Sequence, residues 1–146
     1  MLKAKELMNT RVITIGKDED ICEAIRMMAL NNITGLPVID DDGTLVGIIT
    51  AKDVLVLLCN SLDNTKLDQA VGKVGDFMTS NVVCFEPQDD LSDIAECLSL
   101  NSFRRVPILD NGRLVGIISR RDVIRHIRDL QQQNEVAKDS ILELLY

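Results

Sequence analysis

Leu45-Val46-Gly47-Ile48-Ile49-Thr50-Ala51-Lys52-Asp53-Val54 comes back 69 positions later as Leu114-Val115-Gly116-Ile117-Ile118-Ser119-Arg120-Arg121-Asp122-Val123. Seven of the ten positions are identical, and Thr50 against Ser119 keeps a hydroxyl. Such a repeat governs the reading of the whole chain, because each copy must build the same elements and bury the same face. Upstream, Leu36-Pro37-Val38-Ile39-Asp40 matches Val106-Pro107-Ile108-Leu109-Asp110 at an offset of 70. The offset falls by one between Asp40-Asp41-Asp42-Gly43 and Asp110-Asn111-Gly112, so the length difference lies in a turn. Farther back, Met8 aligns with Met78, Val12 with Val82 and Ile21 with Leu91. The chain therefore divides into a first repeat over 1–60, a connector over 61–76, a second repeat over 77–130 and a C-terminal amphipathic helical extension over 131–146.

Each repeat predicts the same series of elements. Val12-Ile13-Thr14-Ile15 and Val82-Val83-Cys84-Phe85 are short β-rich runs, each followed by a polar, acidic loop. Ile21, Ala24, Ile25, Met28 and Ala29 then recur at three- and four-residue spacing, as do Leu91, Ile94, Ala95 and Leu98, which marks an amphipathic helix in each copy. Two apolar strands follow. Asn111-Gly112 is a two-residue hairpin signal because both positions accept φ > 0, and Asp41-Asp42-Gly43 is a longer variant. A second helix opens at Thr50 or Ser119. The order is β-α-β-β-α in each copy, and a copy of about fifty residues has difficulty burying a core alone. The fold class expected is α/β (α+β), with the tandem repeats packed face to face about a pseudo-twofold axis into one module. After Ile127, apolar residues at Val136, Ile141, Leu144 and Leu145 mark a helix that docks on its own domain or serves as a dimer or partner arm.

Composition removes several functions. Of 146 residues 46% are hydrophobic and 3% aromatic, with 16 Lys+Arg against 23 Asp+Glu and a net charge of −7. Nucleic-acid binding is not expected, because the chain lacks both a broad positive surface and an aromatic stacking platform. The longest apolar run, Val54 to Cys59, is far shorter than the ~20 residues that span a bilayer, so no membrane insertion is expected. The charged start shows no signal peptide, and a cytoplasmic location follows as an expectation. His126 is the single histidine, read as a solvent-facing helix residue. Cys22, Cys59, Cys84 and Cys97 contain no Cys-x-x-Cys pair, so they read as reduced thiols and no metal site is expected.

The sharpest local feature is Thr50-x-x-Asp53 and its copy Ser119-x-x-Asp122 at a strand-to-helix junction. A hydroxyl with an acid three residues later is a capping box that satisfies free N–H groups. The same geometry also suits a nucleotide. A helix start attracts phosphate, a hydroxyl donates to it, and a carboxylate accepts from the vicinal hydroxyls of a ribose. The base then needs an apolar slot, for which Val12, Ile13, Ile15 and Pro37 serve in one copy and Val82, Val83, Phe85 and Pro107 in the other.

With these residues in place the chain resembles the cystathionine-β-synthase-type domain pair, the CBS pair or Bateman module. The resemblance covers about 120 of the 146 residues. It rests on Met78-Thr79 before the second copy (Met8-Asn9 in the first), on Gly35-Leu36-Pro37-Val38-Ile39-Asp40, and on the twofold Gly-Ile-Ile-(Thr/Ser)-x-x-Asp motif. It implies two clefts related by pseudo-twofold symmetry, disc-like homodimers, and regulatory binding of AMP, ADP, ATP, S-adenosylmethionine or sometimes NAD. The hydroxyl would contact ribose or phosphate and the aspartate would hold the ribose, roles that carry over to Thr50, Asp53, Ser119 and Asp122. No cofactor is required. Two departures, Asn9 in place of a threonine and Cys84 opposite Thr14, predict unequal occupancy of the two clefts.

Arginine is uneven. Only Arg11 and Arg26 precede residue 104, whereas seven arginines follow, and Arg104, Arg105, Arg120 and Arg121 flank the second Pro and Ser-x-x-Asp motifs. They read either as a solvated face or as phosphate ligands, which the planar guanidinium fork suits. The function expected is an adenine-nucleotide sensor that acts on a separate, unknown effector protein. The alternative is a ligand-free dimerisation or interaction module. An enzyme is not expected, since the carboxylates and hydroxyls already have cap or ligand duties and no base and nucleophile are held together.

Overall fold

The computed structural model describes residues 2–60 and 72–145, with side chains left out at 58–60 and 135–145. Cys59, the apolar positions Leu62, Leu67 and Val71 of the connector, and the pattern at Val136, Ile141, Leu144 and Leu145 lie outside the described side chains. The element order is α1 (Ala4–Leu7), β1 (Ile15–Gly16), α2 (Ile21–Asn31), β2 (Gly35–Ile39), β3 (Leu45–Thr50), α3 (Ala51–Asn60), α4 (Val74–Phe77), α5 (Leu91–Leu100), β4 (Arg105–Asp110), β5 (Arg113–Ser119) and α6 (Arg120–Leu145). The twice-built α/β architecture expected from the repeat is the one found. α6 carries the second repeat and the C-terminal extension on one continuous helix. The sequence boundary at 76/77 falls inside α4.

Local chemistry explains the elements. Asp20 caps α2 by accepting from the Cys22 N–H at 2.8 Å, and Ile21, Ala24 and Met28 bury one face. α5 buries Ile94 and Leu98 in the same way. β2 pairs antiparallel with β3, and β4 with β5, with a register shift at Val38/Ile39 and at the matching Ile108/Leu109. The β4–β5 turn places Asn111 at φ 52° and Gly112 at φ 81°, the two positive dihedrals that Asn-Gly accepts.

The copies interlock by exchange. Ala4 of α1, with Leu7 and Met8 beside it, packs into the core of Ile94, Leu98, Val106, Ile108, Ile118 and Val123. Val74 of α4, with Phe77 and Met78, packs into the core of Ile21, Ala24, Leu36, Val38, Ile49 and Val54. Each short helix thus buries its side chains in the repeat that it does not lead into. The crossing segments are pinned at both ends. Asn9 bridges Ile117 and Ile15 bridges Val38, while Thr79 bridges Ile48 and Phe85 bridges Ile108.

Gly47 and Gly116 allow this passage. A Cβ on Gly47 would lie 2.7 Å from both the Met78 sulfur and the Thr79 carbonyl, and one on Gly116 2.6 Å from the Met8 sulfur. The crossing also shortens the strands expected at 12–15 and 82–85. Only Ile15–Gly16 forms a strand, and in the second copy only Phe85 reaches its own sheet, through Phe85 N–H to Pro107 O at 3.0 Å and Leu109 N–H to Phe85 O at 2.8 Å. The residues before them span the gap between the two sheets.

Candidate functional site

Thr50 and Ser119 are the last residues of β3 and β5, and the helices begin at the next position. At the first junction Asp53 Oδ2 accepts the Thr50 N–H at 2.9 Å and the Thr50 hydroxyl at 3.0 Å, while the Asp53 N–H donates to Thr50 Oγ1 at 3.4 Å. At the second, Asp122 Oδ2 accepts the Ser119 N–H at 2.8 Å and hydroxyl at 2.9 Å, and the Asp122 N–H donates to Ser119 Oγ at 3.2 Å. Both are reciprocal capping boxes. In each, one carboxylate oxygen carries the cap. Oδ1 of Asp122 faces the Arg125 guanidinium at a loose 3.9 Å, which leaves an acceptor oxygen for a ligand hydroxyl at that helix start.

The second junction opens on a cleft of about 740 Å³. Its walls come from both repeats. Val12, Ile13 and Pro37 of the first repeat face Ser119 and Asp122 of the second, with Arg104, Arg105, Arg120 and Arg121 around them. The apolar slot and the polar motif of one cleft thus belong to different copies, because the crossing segment carries Val12 and Ile13 from the Ile117 bridge back to their own sheet. Ile13, 36% exposed, offers the wall its free face.

The other expected residues lie elsewhere. Ile15 is not a slot residue: its pairing with Val38 turns it into the first core, where it is 4% exposed. Thr14 is half-buried and does not line this cleft. Thr50, Asp53, Val83 and Pro107 also lie outside it, with Val83 exposed and Pro107, like Pro37 on the cleft wall, fully buried. His126 is half-buried on α6. Asn9, singled out for its effect on occupancy, lies on the cleft wall, where sequence reasoning missed Arg11, Asn32, Thr34, Ile124 and Arg125. Arg11 had a usable signal in its place beside Val12, and Asn32 had one as the left-handed C-cap of α2, at φ 52°.

The arginines are not equivalent. Arg120 is engaged by α5: its Nε donates to Leu98 O at 3.2 Å and its Nη2 to Asn101 O at 2.5 Å, closing the end of that helix. Arg105 reaches across to the first repeat, donates from Nη2 to Thr34 Oγ1 at 2.7 Å, and lies over Gly35 where a Cβ would collide with it. Burial, and then the neighbouring Arg104 charge, push the Arg105 guanidinium below its ordinary pKa. The side chains of Arg11, Arg104 and Arg121 have no partner among the described residues.

Burial pushes the Cys84 thiol above its ordinary pKa, and its Sγ donates to Val82 O at 3.4 Å, so it sits as a protonated thiol. Among the described residues no group of three His, Cys, Asp or Glu side chains is placed to hold a metal ion. Among them, too, no helix is long and apolar enough to cross a membrane.

The CBS domain family model matches residues 4–60 and 74–129. The inosine-5'-monophosphate dehydrogenase of Methanocaldococcus jannaschii is 40% identical over 124 residues, 84% of this chain and 23% of that enzyme. The first curated relatives are longer proteins, of which the chain spans 23% to 57%. Among solved structures, CBSX2 of Arabidopsis thaliana in complex with AMP superposes with a TM-score of 0.78 at 32% identity, covering 90% of this chain and 99% of that one. The CBS domain pair of protein MJ0100, in complex with 5'-methylthioadenosine and S-adenosyl-L-methionine, superposes with a TM-score of 0.76 at 28% identity, covering 88% and 98%.

Proposed function

The chain belongs to the CBS domain family, and on that premise we propose that it is a regulatory module that binds an adenosyl ligand. The observation that carries this reading is the two-repeat cleft, in which a capped aspartate keeps one carboxylate oxygen beside unpartnered guanidiniums and an apolar wall. A ribose would be held by Asp122 Oδ1, its base against Val12, Ile13 and Pro37, and its phosphate by the arginines and the start of α6. Thr50 and Asp53 would serve the symmetry-related ligand. AMP, ADP, ATP and S-adenosylmethionine are the ligands to test, and the complexes of the two structural neighbours support that choice. We assign it a regulatory rather than a catalytic role, and a cytoplasmic location.

Because the cleft walls come from both repeats, a ligand would tie them together, and its differential affinity for two arrangements is what can be transmitted. The output would go to a separate effector protein. A homodimer through α3 and α6 is supported by Leu55, Val56, Ile124, Ile127 and Leu130, which are 46% to 67% exposed. Those faces also favour a second reading, a ligand-free dimerisation module.

A thermal-shift panel with AMP, ADP, ATP, S-adenosylmethionine and NAD separates the two. A ligand at a hundred times its Kd stabilises by about 2.7 kcal/mol, several degrees for a domain of this size. The control is Asp53→Asn/Asp122→Asn, which keeps an oxygen for each cap and removes the acceptor offered to ribose. A shift lost in that variant supports the sensor. Flat curves for every ligand, on protein shown to carry no nucleotide, select the interaction module.

A further inference from the structure

Resting on the adenosyl-binding reading, we infer that the two clefts are chemically specialised, and that the one at Ser119 selects a ligand with a di- or triphosphate over one with a monophosphate or an uncharged 5' end. The chain carries a net charge of −7 and nine arginines, yet six of those arginines line this one cleft against a single carboxylate, Asp122. The repeat gives a built-in control. By the offsets of the repeat, Arg11, Arg120, Arg121 and Arg125 correspond to Asn81, Ala51, Lys52 and Val56.

Two of the six cations have local work, Arg120 at the end of α5 and Arg105 at Thr34. Arg125 leans toward Asp122 at 3.9 Å. That leaves Arg11 on the crossing segment, Arg104 just before β4 and Arg121 in the first turn of α6, exposed guanidiniums from three different segments on one wall. Gathering like charges without counter-ions costs free energy, and a polyanion relieves it. One or two bidentate guanidiniums serve a single phosphate group, whereas three from separate directions suit a chain of phosphates. The volume of about 740 Å³ leaves room beyond a nucleoside.

The test is calorimetric titration of the whole chain with ATP, ADP, AMP, S-adenosylmethionine and inorganic tripolyphosphate, on wild type, Arg11→Ala/Arg121→Ala and Lys52→Ala. Charge-assisted hydrogen bonds of their usual strength predict that ATP binds about ten- to a hundred-fold more tightly than AMP. The double arginine variant should lose most of that margin, weakening ATP far more than AMP, and Lys52→Ala should keep it. Asp122→Asn should abolish the tight ATP site, and Asp53→Asn should spare it. Equal affinity for ATP, AMP and S-adenosylmethionine at the Asp122-dependent site overturns the inference while leaving the adenosyl reading intact. Binding of none of the adenosyl ligands removes both. Tripolyphosphate binding as well as ATP also overturns it, since the site would then not read the nucleoside.

Discussion

Thr50–Asp53 and Ser119–Asp122 are capped by the same three hydrogen bonds, at 2.9, 3.0 and 3.4 Å in the first and 2.8, 2.9 and 3.2 Å in the second. Around this shared backbone the side chains diverge: Ala51, Lys52 and Val56 at one helix start, Arg120, Arg121 and Arg125 at the other. The repeat holds its symmetry where the fold depends on it, in caps, glycines and the exchanged short helices. It loses that symmetry beside the caps, where Arg120 closes α5 while Arg121 and Arg125 stand exposed on the cleft wall. Structural and recognition demands are thus separable residue by residue, even within one turn of helix.

The largest effect that would sharpen this comparison is expected at the crossing glycines. Gly47→Ala pushes a methyl against a main-chain carbonyl as well as Met78, whereas the nearest atoms to Gly116→Ala are Sδ, Cγ and Cβ of the Met8 side chain. Urea unfolding should give a loss of about 3 kcal/mol for Gly47→Ala and a smaller loss for Gly116→Ala. Equal, negligible losses would mean that the two segments do not pass over these strands. Next comes Val74→Ala. Removing two buried methyl groups costs about 2 kcal/mol. Because Val74 packs in the first core, amide exchange should quicken in α2 and β2 rather than in α5 and β4. The opposite pattern would break the exchange of short helices.

Removing the cap hydroxyls, Thr50→Val and Ser119→Ala, should each cost about 1 kcal/mol, a matched pair that tests the structural equivalence of the junctions. The smallest effect concerns the turns, where the copies differ in length. A hydrogen bond shared with the Asp40 carboxyl, then one from the Thr44 hydroxyl and one from the Thr44 N–H at 3.0 Å, hold the Asp42 carboxyl down to about 2. A carboxylate held below its ordinary value stabilises the fold above the ordinary range, and that contribution is lost as pH falls toward 2. An NMR titration should show Asp42 ionised through pH 3, and Asp42→Asn should flatten this part of the acid unfolding profile. A midpoint near 4 would contradict the turn geometry.

What was legible in the sequence was local. Asn111-Gly112 announces its own positive dihedrals, and Thr50-x-x-Asp53 announces its own cap, because each is decided within four residues. The apolar spacing in α2 and α5 gave the buried positions Ile21, Ala24, Met28, Ile94 and Leu98, whereas Ala29, on the same spacing, is exposed. What was not legible depends on contacts far along the chain. No local pattern tells that Val82–Cys84 are spent crossing between sheets, that Ile15 turns into the core, or that Arg120 closes α5 some twenty residues behind it. The partnership in the cleft is of the same kind. Ile13 and Pro37 read as a slot for their own copy, and the exchange of segments sets them opposite Ser119.

The most direct test of the account follows the isoleucine methyl groups by NMR during an ATP titration. Ile13 lies on the first-repeat wall of the cleft, Ile117 and Ile124 lie on the second-repeat wall, and Ile108 is sealed in the second core. A ligand held between the repeats shifts Ile13, Ile117 and Ile124 along one binding curve, leaves Ile108 nearly still, and loses its effect in Asp122→Asn. Shifts confined to one repeat, or a titration that Asp122→Asn does not alter, would contradict a two-repeat site.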